Sequence, residues 1–332
     1  MVSFIIPVFN IPEECIARCI GSVWNQNCSD WEAILVDDGS TEQNASFCDE
    51  CAKRDTRIRV IHQPNKGVSA ARNAALDIVR GEWVVFLDAD DCIHPELCSK
   101  IDHFLITEAE IVFFGYTIIR GAENYPSGLP VSTDRKELEK LVLDAKANES
   151  KEYAAGTVCG KAYARTLISQ NGLRFNQRLK LAEDGLFALE AIQKSTRCVI
   201  VQEHLYYYIC RPQSASAENS YRSDAAEQIQ GTVKAFNLAF DSLVDKQELR
   251  IYYLNFQLFL CSTYMKQGPF HAEAGLSVAG RWRACKNSIT EDIFWTIYDH
   301  NIARQAKLKQ KVKVWLIRNR LYNTFWLIRK KS

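Results

Sequence analysis

Three acidic clusters stand out by residue type and spacing: Asp37-Asp38, Asp88-Ala89-Asp90-Asp91 and Glu183-Asp184. Three carboxylates within four residues repel one another unless something positive sits among them. A Mg²⁺ or Mn²⁺ ion is an economical partner, because such hard cations take one or two carboxylates and fill their shell with substrate phosphates. Asp88 to Asp91 therefore has the composition of a metal–diphosphate site. Asp37-Asp38 runs into Gly39-Ser40, and taken alone that is ordinary turn chemistry. Glu183-Asp184 also has two readings: a general base for a hydroxyl proton, or acids in a first helical turn, where the helix dipole favours them.

Positioning these acids falls to an alternation of strands and helices over the first 115 residues. Phe4-Ile5-Ile6, Ala33 to Val36, Ile58 to Ile61, Trp83 to Leu87 and Glu110 to Phe114 are apolar runs of strand length. Between them, Pro12 to Trp24 carries Ile16, Ile20, Val23 and Trp24 at helical spacing. Ser40 with Gln43 has the pattern of a capping box opening a second helix, and Ser69 that of a cap for a third. Pro95 starts a fourth, with Leu97, Ile101 and Phe104 on one face. This alternation predicts an α/β fold with a mostly parallel sheet covered by helices on both faces. Ligands of such sheets bind outside the carboxyl ends of the strands, where the first two acidic clusters fall. From about residue 133 the pattern turns largely helical, with short strand-like pieces near 198–209, and it reads as all-helical from about Asp224.

Composition narrows the function classes. The 332 residues are 47% hydrophobic, enough for a sizeable core, and 41 basic against 40 acidic residues give no global charge suited to nucleic acid. Pro7-Val8-Phe9-Asn10 follows the first strand where a dinucleotide or P-loop protein would carry a glycine-rich turn. Phosphate would then be held by metal and side chains. Of the twelve cysteines, Cys48 and Cys51 form a single C-x-x-C pair without a second pair or a nearby His, and they also fit one helix face. We read the cysteines as reduced small hydrophobes in a cytoplasmic protein. No apolar run reaches the roughly 18 residues of a membrane span.

Five segments taken together identify a resemblance. Phe4 to Asn10, Val36-Asp37-Asp38-Gly39-Ser40, Gly67 to Asn73, Phe86 to Asp91 and Glu183-Asp184-Gly185-Leu186-Phe187 resemble, in order and spacing, the family 2 inverting glycosyltransferases. The likeness covers roughly residues 1–215. It implies a GT-A fold, a nucleotide-sugar donor and a Mn²⁺ or Mg²⁺ cofactor. By the same resemblance Pro7, Val8 and Phe9 would line the base pocket, and Asp38 would accept from the base, which suits the N3–H of uracil. Arg72 would lie near the nucleotide or diphosphate, or else anchor its helix. Asp88 and Ala89 would touch the nucleotide, Asp90 with Asp88 would ligate the metal, and Asp184 would be the base, with Glu183 beside it. Lys161, and Arg211 with Ser214 and Ser216, are either acceptor or diphosphate contacts or solvated loop residues.

The expected organisation is a GT-A domain over 1–219, with a nucleotide-binding half 1–115 and an acceptor-side half 116–219, followed by a helical region 220–332. Processive members of the family carry Q-x-x-R-W; here Arg281-Trp282 is preceded by Val278 where Gln is needed, which points to single additions. After Asp299 there is no acidic residue but ten Lys and Arg, interleaved with Trp315, Leu316, Leu321, Phe325, Trp326 and Ile328. That composition suits an anionic membrane surface, and with it a lipid-linked saccharide acceptor and a peripheral place on the inner face of the membrane. A terminal helix docked on the protein with solvated lysines is the alternative. Two other functions compete with the glycosyltransferase: a sugar nucleotidyltransferase, which would need a glycine-rich phosphate loop, and a non-catalytic nucleotide-sugar sensor, which would tolerate loss of Asp90 or Asp184.

Overall fold

A computed structural model of the chain describes residues 1–104, 108–147, 156–211, 221–290 and 300–329. Ser214, Ser216, Lys330, Lys331 and the expected boundary at 219–220 lie outside the described residues.

The apolar runs near the amino terminus become strands because three of them bury both faces, while β3 lies half-buried at the sheet edge. β1 (Val2–Val8), β2 (Trp31–Asp37), β3 (Ile58–His62) and β4 (Trp83–Phe86) lie parallel in the order β3-β2-β1-β4. Helices α1 (Glu13–Trp24), α2 (Glu42–Arg54) and α3 (Val68–Leu76) connect them. β5 (Cys92–Ile93), α4 (Leu97–Asp102), β6 (Ile111–Arg120), β7 (Glu123–Pro126), α5 (Arg135–Ala147), β8 (Lys161–Ala164), α6 (Arg165–Gln170), α7 (Glu183–Lys194) and β9 (Cys198–Ile209) follow. The sheet continues from β4 through β8, β6 and β9 to β5, with β7 folded back on β6. β8 runs antiparallel to both β4 and β6, while β6 and β9 are parallel.

Two local expectations are corrected and a third is extended. Ser40 does not cap α2: its backbone amide donates to Asp37 Oδ1 at 2.9 Å, and Thr41 takes the cap position without a side-chain bond. Asp37 wins because an Asx-type bond three residues on needs no helix to form. Ser69 lies inside α3, and the helix starts after Gly67, whose φ of 88° favours glycine. The stretch after residue 133 is largely helical with a strand at 198–209, as expected, but β8 at Lys161–Ala164 is an additional strand that completes the sheet beside β9. All twelve cysteines are free thiols, with Cys48 and Cys51 buried on α2.

One compact unit comprises residues 1–142 and 151–211, a second 143–150 and 212–332. The described part of the second unit is helical: α8 (Ala225–Phe240), α9 (Lys246–Gln267), α10 (Val278–Ser288), α11 (His300–Gln305), α12 (Leu308–Arg318) and α13 (Tyr322–Arg329), apart from a single 3₁₀ turn at Ala272–Ala274. Asp245 and Ser277 cap α9 and α10 by accepting from the amides of Glu248 and Gly280. Its core stacks Phe240 on Tyr253 at 4.8 Å and Phe236 against Phe256 at 4.5 Å. No helix among the described residues is long and apolar enough to cross a membrane.

Candidate functional site

The carboxyl ends of β2 and β4 carry the first two acidic turns. In the β2 turn the acids are held mainly by the chain itself. Asp37 Oδ2 pairs with His62 Nδ1 at 2.9 Å across the β2–β3 register, and His62 Nε2 reaches Asp49 at 3.1 Å. Burial pushes the Asp37 carboxyl up, but the hydrogen bonds from His62 and Ser40 outweigh it and hold the group below the usual range. Asp38 is 3% exposed. Its Oδ1 accepts from Gln63 Nε2 at 2.7 Å and the Lys66 amide at 2.8 Å, and its Oδ2 accepts from the Gly67 amide at 2.7 Å. Asp38 thus shapes the loop that leads into α3. Gly39 has φ 73°, and an added Cβ would sit 2.6 Å from the Asn65 amide nitrogen, so the same loop explains why glycine follows the two acids.

The turn after β4 is built differently. Asp91 is fully buried; its Oδ2 accepts from Tyr206 Oη at 2.6 Å and its Oδ1 from the Ile209 amide at 2.8 Å. Tyr206 Oη in turn accepts from the Asp88 amide at 3.2 Å, so the end of β9 fixes the turn. Burial, with Asp88 and Asp90 nearby, pushes the Asp91 carboxyl well up. Asp88 Oδ1 accepts from Arg72 Nη2 at 2.9 Å and its Oδ2 from the Cys159 thiol at 3.8 Å. Asp90 Oδ2 accepts from Arg211 Nε at 3.1 Å and Nη2 at 2.5 Å. Two guanidinium groups therefore sit against Asp88 and Asp90, while the third acid, Asp91, is held by hydrogen bonds from Tyr206 and Ile209. Asp88 and Asp90 keep side-chain exposures of 35% and 19%. Ala89 between them is buried.

Arg72 connects this turn to the third acidic cluster. Its Nη1 lies 3.8 Å from Glu183 Oε1, while Nη2 holds Asp88. Burial works against its charge, but Asp88 and then Glu183 outweigh that and push its pKa further up. Nε and Nη1 donate no hydrogen bond within the protein. The neighbouring Asn73 clamps Phe175 at both backbone groups, donating to its carbonyl at 2.8 Å and accepting from its amide at 2.9 Å. Phe175 stacks on Phe187 at 4.3 Å, and Phe86 meets both rings edge-on at 5.1 and 5.5 Å. These aromatic contacts, each about 0.5–1.5 kcal/mol beyond area burial, hold α7 against the last residue of β4. The first turn of α7, with Glu183 and Asp184, is thereby fixed beside the Asp88 turn. Ala182 enters it in the left-handed region at φ 59°.

The other expected residues are placed as follows. Pro7 and Val8 end β1, and Phe9 beyond them is 45% exposed. Lys161 is no loop residue: it is fully buried in β8, its ammonium donating to the Thr157 carbonyl at 2.5 Å and lying 5.5 Å from the Phe113 ring centre. Arg211 follows β9 and meets Asp90, as above. Tyr206 and Cys159 carry the turn's inner contacts, yet nothing in the residue order around them singled them out. A divalent cation fits the donor chemistry of Asp88 and Asp90, two partly exposed hard carboxylates on one turn. Among the described residues no group of three or more His, Cys, Asp or Glu side chains could hold an ion unaided.

Residues 3–157 match the family model described as glycosyl transferase family 2. The uncharacterized glycosyltransferase EpsJ of Bacillus subtilis is 31% identical over 271 residues, 78% of this chain and 76% of its own length. The putative glycosyltransferase EpsH of the same organism is 32% identical, with 62% and 60% covered. TarS of Staphylococcus aureus, a poly(ribitol-phosphate) beta-N-acetylglucosaminyltransferase, is 26% identical over 67% of the chain, which spans only 37% of TarS. The crystal structure of TarS 1-349 in complex with UDP-GlcNAc superposes with a TM-score of 0.72 at 19% identity, covering 99% of this chain and 91% of that one, a likeness of GT-A fold. The family match holds the acidic turns after β2 and β4, and a likeness over 78% of the chain necessarily runs on through Asp184. The chain belongs to glycosyltransferase family 2, the inverting hexosyltransferases.

Proposed function

We propose that the chain transfers a hexosyl group from a UDP-sugar, with a divalent cation on Asp88 and Asp90, to a hydroxyl of a growing glycan or lipid-linked saccharide. The observation that carries this reading is the Arg72 bridge, which ties the Asp88 turn to Glu183 and so sets the donor turn beside Asp184. TarS supports the choice of donor through its UDP-GlcNAc complex and the choice of acceptor through its poly(ribitol-phosphate) description.

In this reading residues 1–115 form the nucleotide-binding half, 116–219 the acceptor-side half, and 220–332 a helical region. Pro7, Val8 and Phe9 wall the base, and Asp38 has one further lone pair on Oδ2 for the uracil N3–H. When bound, the cation supplies Lewis-acid stabilisation of charge on the leaving diphosphate. Arg72 adds fixed positive charge from a buried position between Asp88 and Glu183. Arg211, which holds Asp90, is the side chain that moves to admit the ion and then pairs with the diphosphate. Lys161 adds buried positive charge. Asp184 takes the acceptor proton as the hydroxyl attacks the anomeric carbon from the face opposite the leaving group, a role worth about 10²–10⁴ in rate. Direct displacement inverts the anomeric centre.

The test is turnover of a UDP-sugar panel with saccharide acceptors, comparing wild type with Asp184→Asn. The reading predicts an inverted product and a loss of about 10²–10⁴ in kcat with donor affinity retained. An Asp184→Asn enzyme of near-normal kcat would remove Asp184 from the role.

A further inference from the structure

The sequence pattern left the basic, aromatic tail undecided between a docked helix and a membrane surface. The structure divides it by face. On α12, Val314, Leu316 and Ile317 are buried, Gln310 Nε2 donates to Asn255 Oδ1 of α9, and the loop after the helix is held where Trp282 Nε1 donates to the Arg320 carbonyl at 3.1 Å. The inner face is therefore docked. On the opposite face Leu308, Val312 and Trp315 stand at i, i+4 and i+7 and are 77%, 39% and 58% exposed. At 100° per residue they make one narrow ridge, with Lys309 to one side and Lys311 and Arg318 to the other.

We infer that this face of α12 is an interfacial helix that seats the protein on an anionic phospholipid bilayer. The ridge inserts among acyl chains while the flanking cations stay at headgroup level. Charge selects this occupant. Residues 300–332 hold ten Lys and Arg and no acid, leaving 31 basic against 40 acidic residues in 1–299. An anionic surface therefore attracts the tail and repels the rest, which favours one orientation. A second copy of the same face would bring like charges together around the ridge. The inference stands apart from the donor and acceptor reading above, because vesicle binding requires no turnover.

The experiment is co-sedimentation of the purified chain with phosphatidylglycerol–phosphatidylcholine vesicles and with pure phosphatidylcholine vesicles, at roughly 0.05 M and 0.5 M salt. The chain should partition onto the anionic vesicles at low salt and be released at high salt. Lys309→Gln with Arg318→Gln should weaken partitioning about 25-fold, roughly fivefold per charge. Leu308→Gln, Val312→Gln and Trp315→Gln together should weaken it at least about tenfold. If that triple variant unfolds, Trp315→Gln alone serves and should still weaken binding. Equal binding to both vesicle types, no binding to either, or full binding by folded ridge variants would overturn the inference. So would self-association that the ridge variants abolish in a chain that ignores vesicles.

Discussion

Two acidic turns sit at nearby strand ends of one sheet, and they do opposite things with their carboxylates. After β2, Asp37 and Asp38 are held by His62, Ser40, Gln63 and the amides of Lys66 and Gly67, several of them fixed backbone donors. After β4, Asp88 and Asp90 are held by the side chains of Arg72, Cys159 and Arg211. A backbone amide cannot leave a buried carboxylate, and the buried Arg72 is likewise held in place, whereas the partly exposed Arg211 can swing away from Asp90. Similar acidic clusters are thus held mainly by the backbone in one turn and by side chains in the other.

Breaking the comparison at its functional side should give the largest effect. Asp90→Ala is expected to lower turnover by about 10²–10³, the scale of losing one electrostatic stabiliser of the transition state. Its melting temperature should hardly move, because a partly exposed ion pair such as Asp90–Arg211 contributes about 0–1 kcal/mol. Steady-state kinetics beside a thermal melt reads both. Asp38→Ala should invert that pattern in stability: it strands two backbone amides, and denaturant melts should register a loss of about 2–4 kcal/mol. A fully stable Asp38→Ala protein would erase the distinction between the turns.

The smallest effect concerns pH. Hydrogen bonds to Asp37, then to Asp49, raise the His62 pKa above its ordinary 6.5. A raised folded-state pKa contributes stability that is fully present below the unfolded value and fades as pH rises through the folded one. Wild type should therefore exceed His62→Gln in stability by more at pH near 5.5 than near 8.5, by well under about 1 kcal/mol because the ring is half exposed. Urea midpoints at the two pH values check it. The partner effect runs the other way: Asp37, held below its ordinary range, adds stability that is lost only as pH falls through its folded pKa.

Much of this architecture was legible in the residue order, because buried parallel strands write themselves as apolar runs and their acids follow at the ligand-binding ends. The acidic turns after β2 and β4 were found that way, whereas Arg72 and the role of Asp184 came from the family resemblance and the tail from its basic, aromatic composition. The capping signal at Ser40 failed because a competing local bond to Asp37 took its amide, and that at Ser69 because a distant partner, Asp38, pinned the loop so that α3 began after Gly67. β8 escaped notice because a four-residue strand shows no usable period, and with it went the burial of Lys161. Tyr206 and Cys159 were invisible because their partners lie 115 and 71 residues away. The crowding of carboxylates at Asp88 to Asp91 was legible and called for positive charge, but that Arg72 and Arg211 supply some of it depends on folding that brings residues 72 and 211 to one turn.

The proposed function depends most directly on the β4 turn as the donor site. Calorimetric titration of UDP-sugars into wild type with Mn²⁺, then with EDTA, and into Asp90→Ala addresses it in one series. The account predicts binding that needs the cation and is lost or weakened at least about tenfold in Asp90→Ala, with the protein folded throughout. Donor binding of equal strength in all three samples would contradict it.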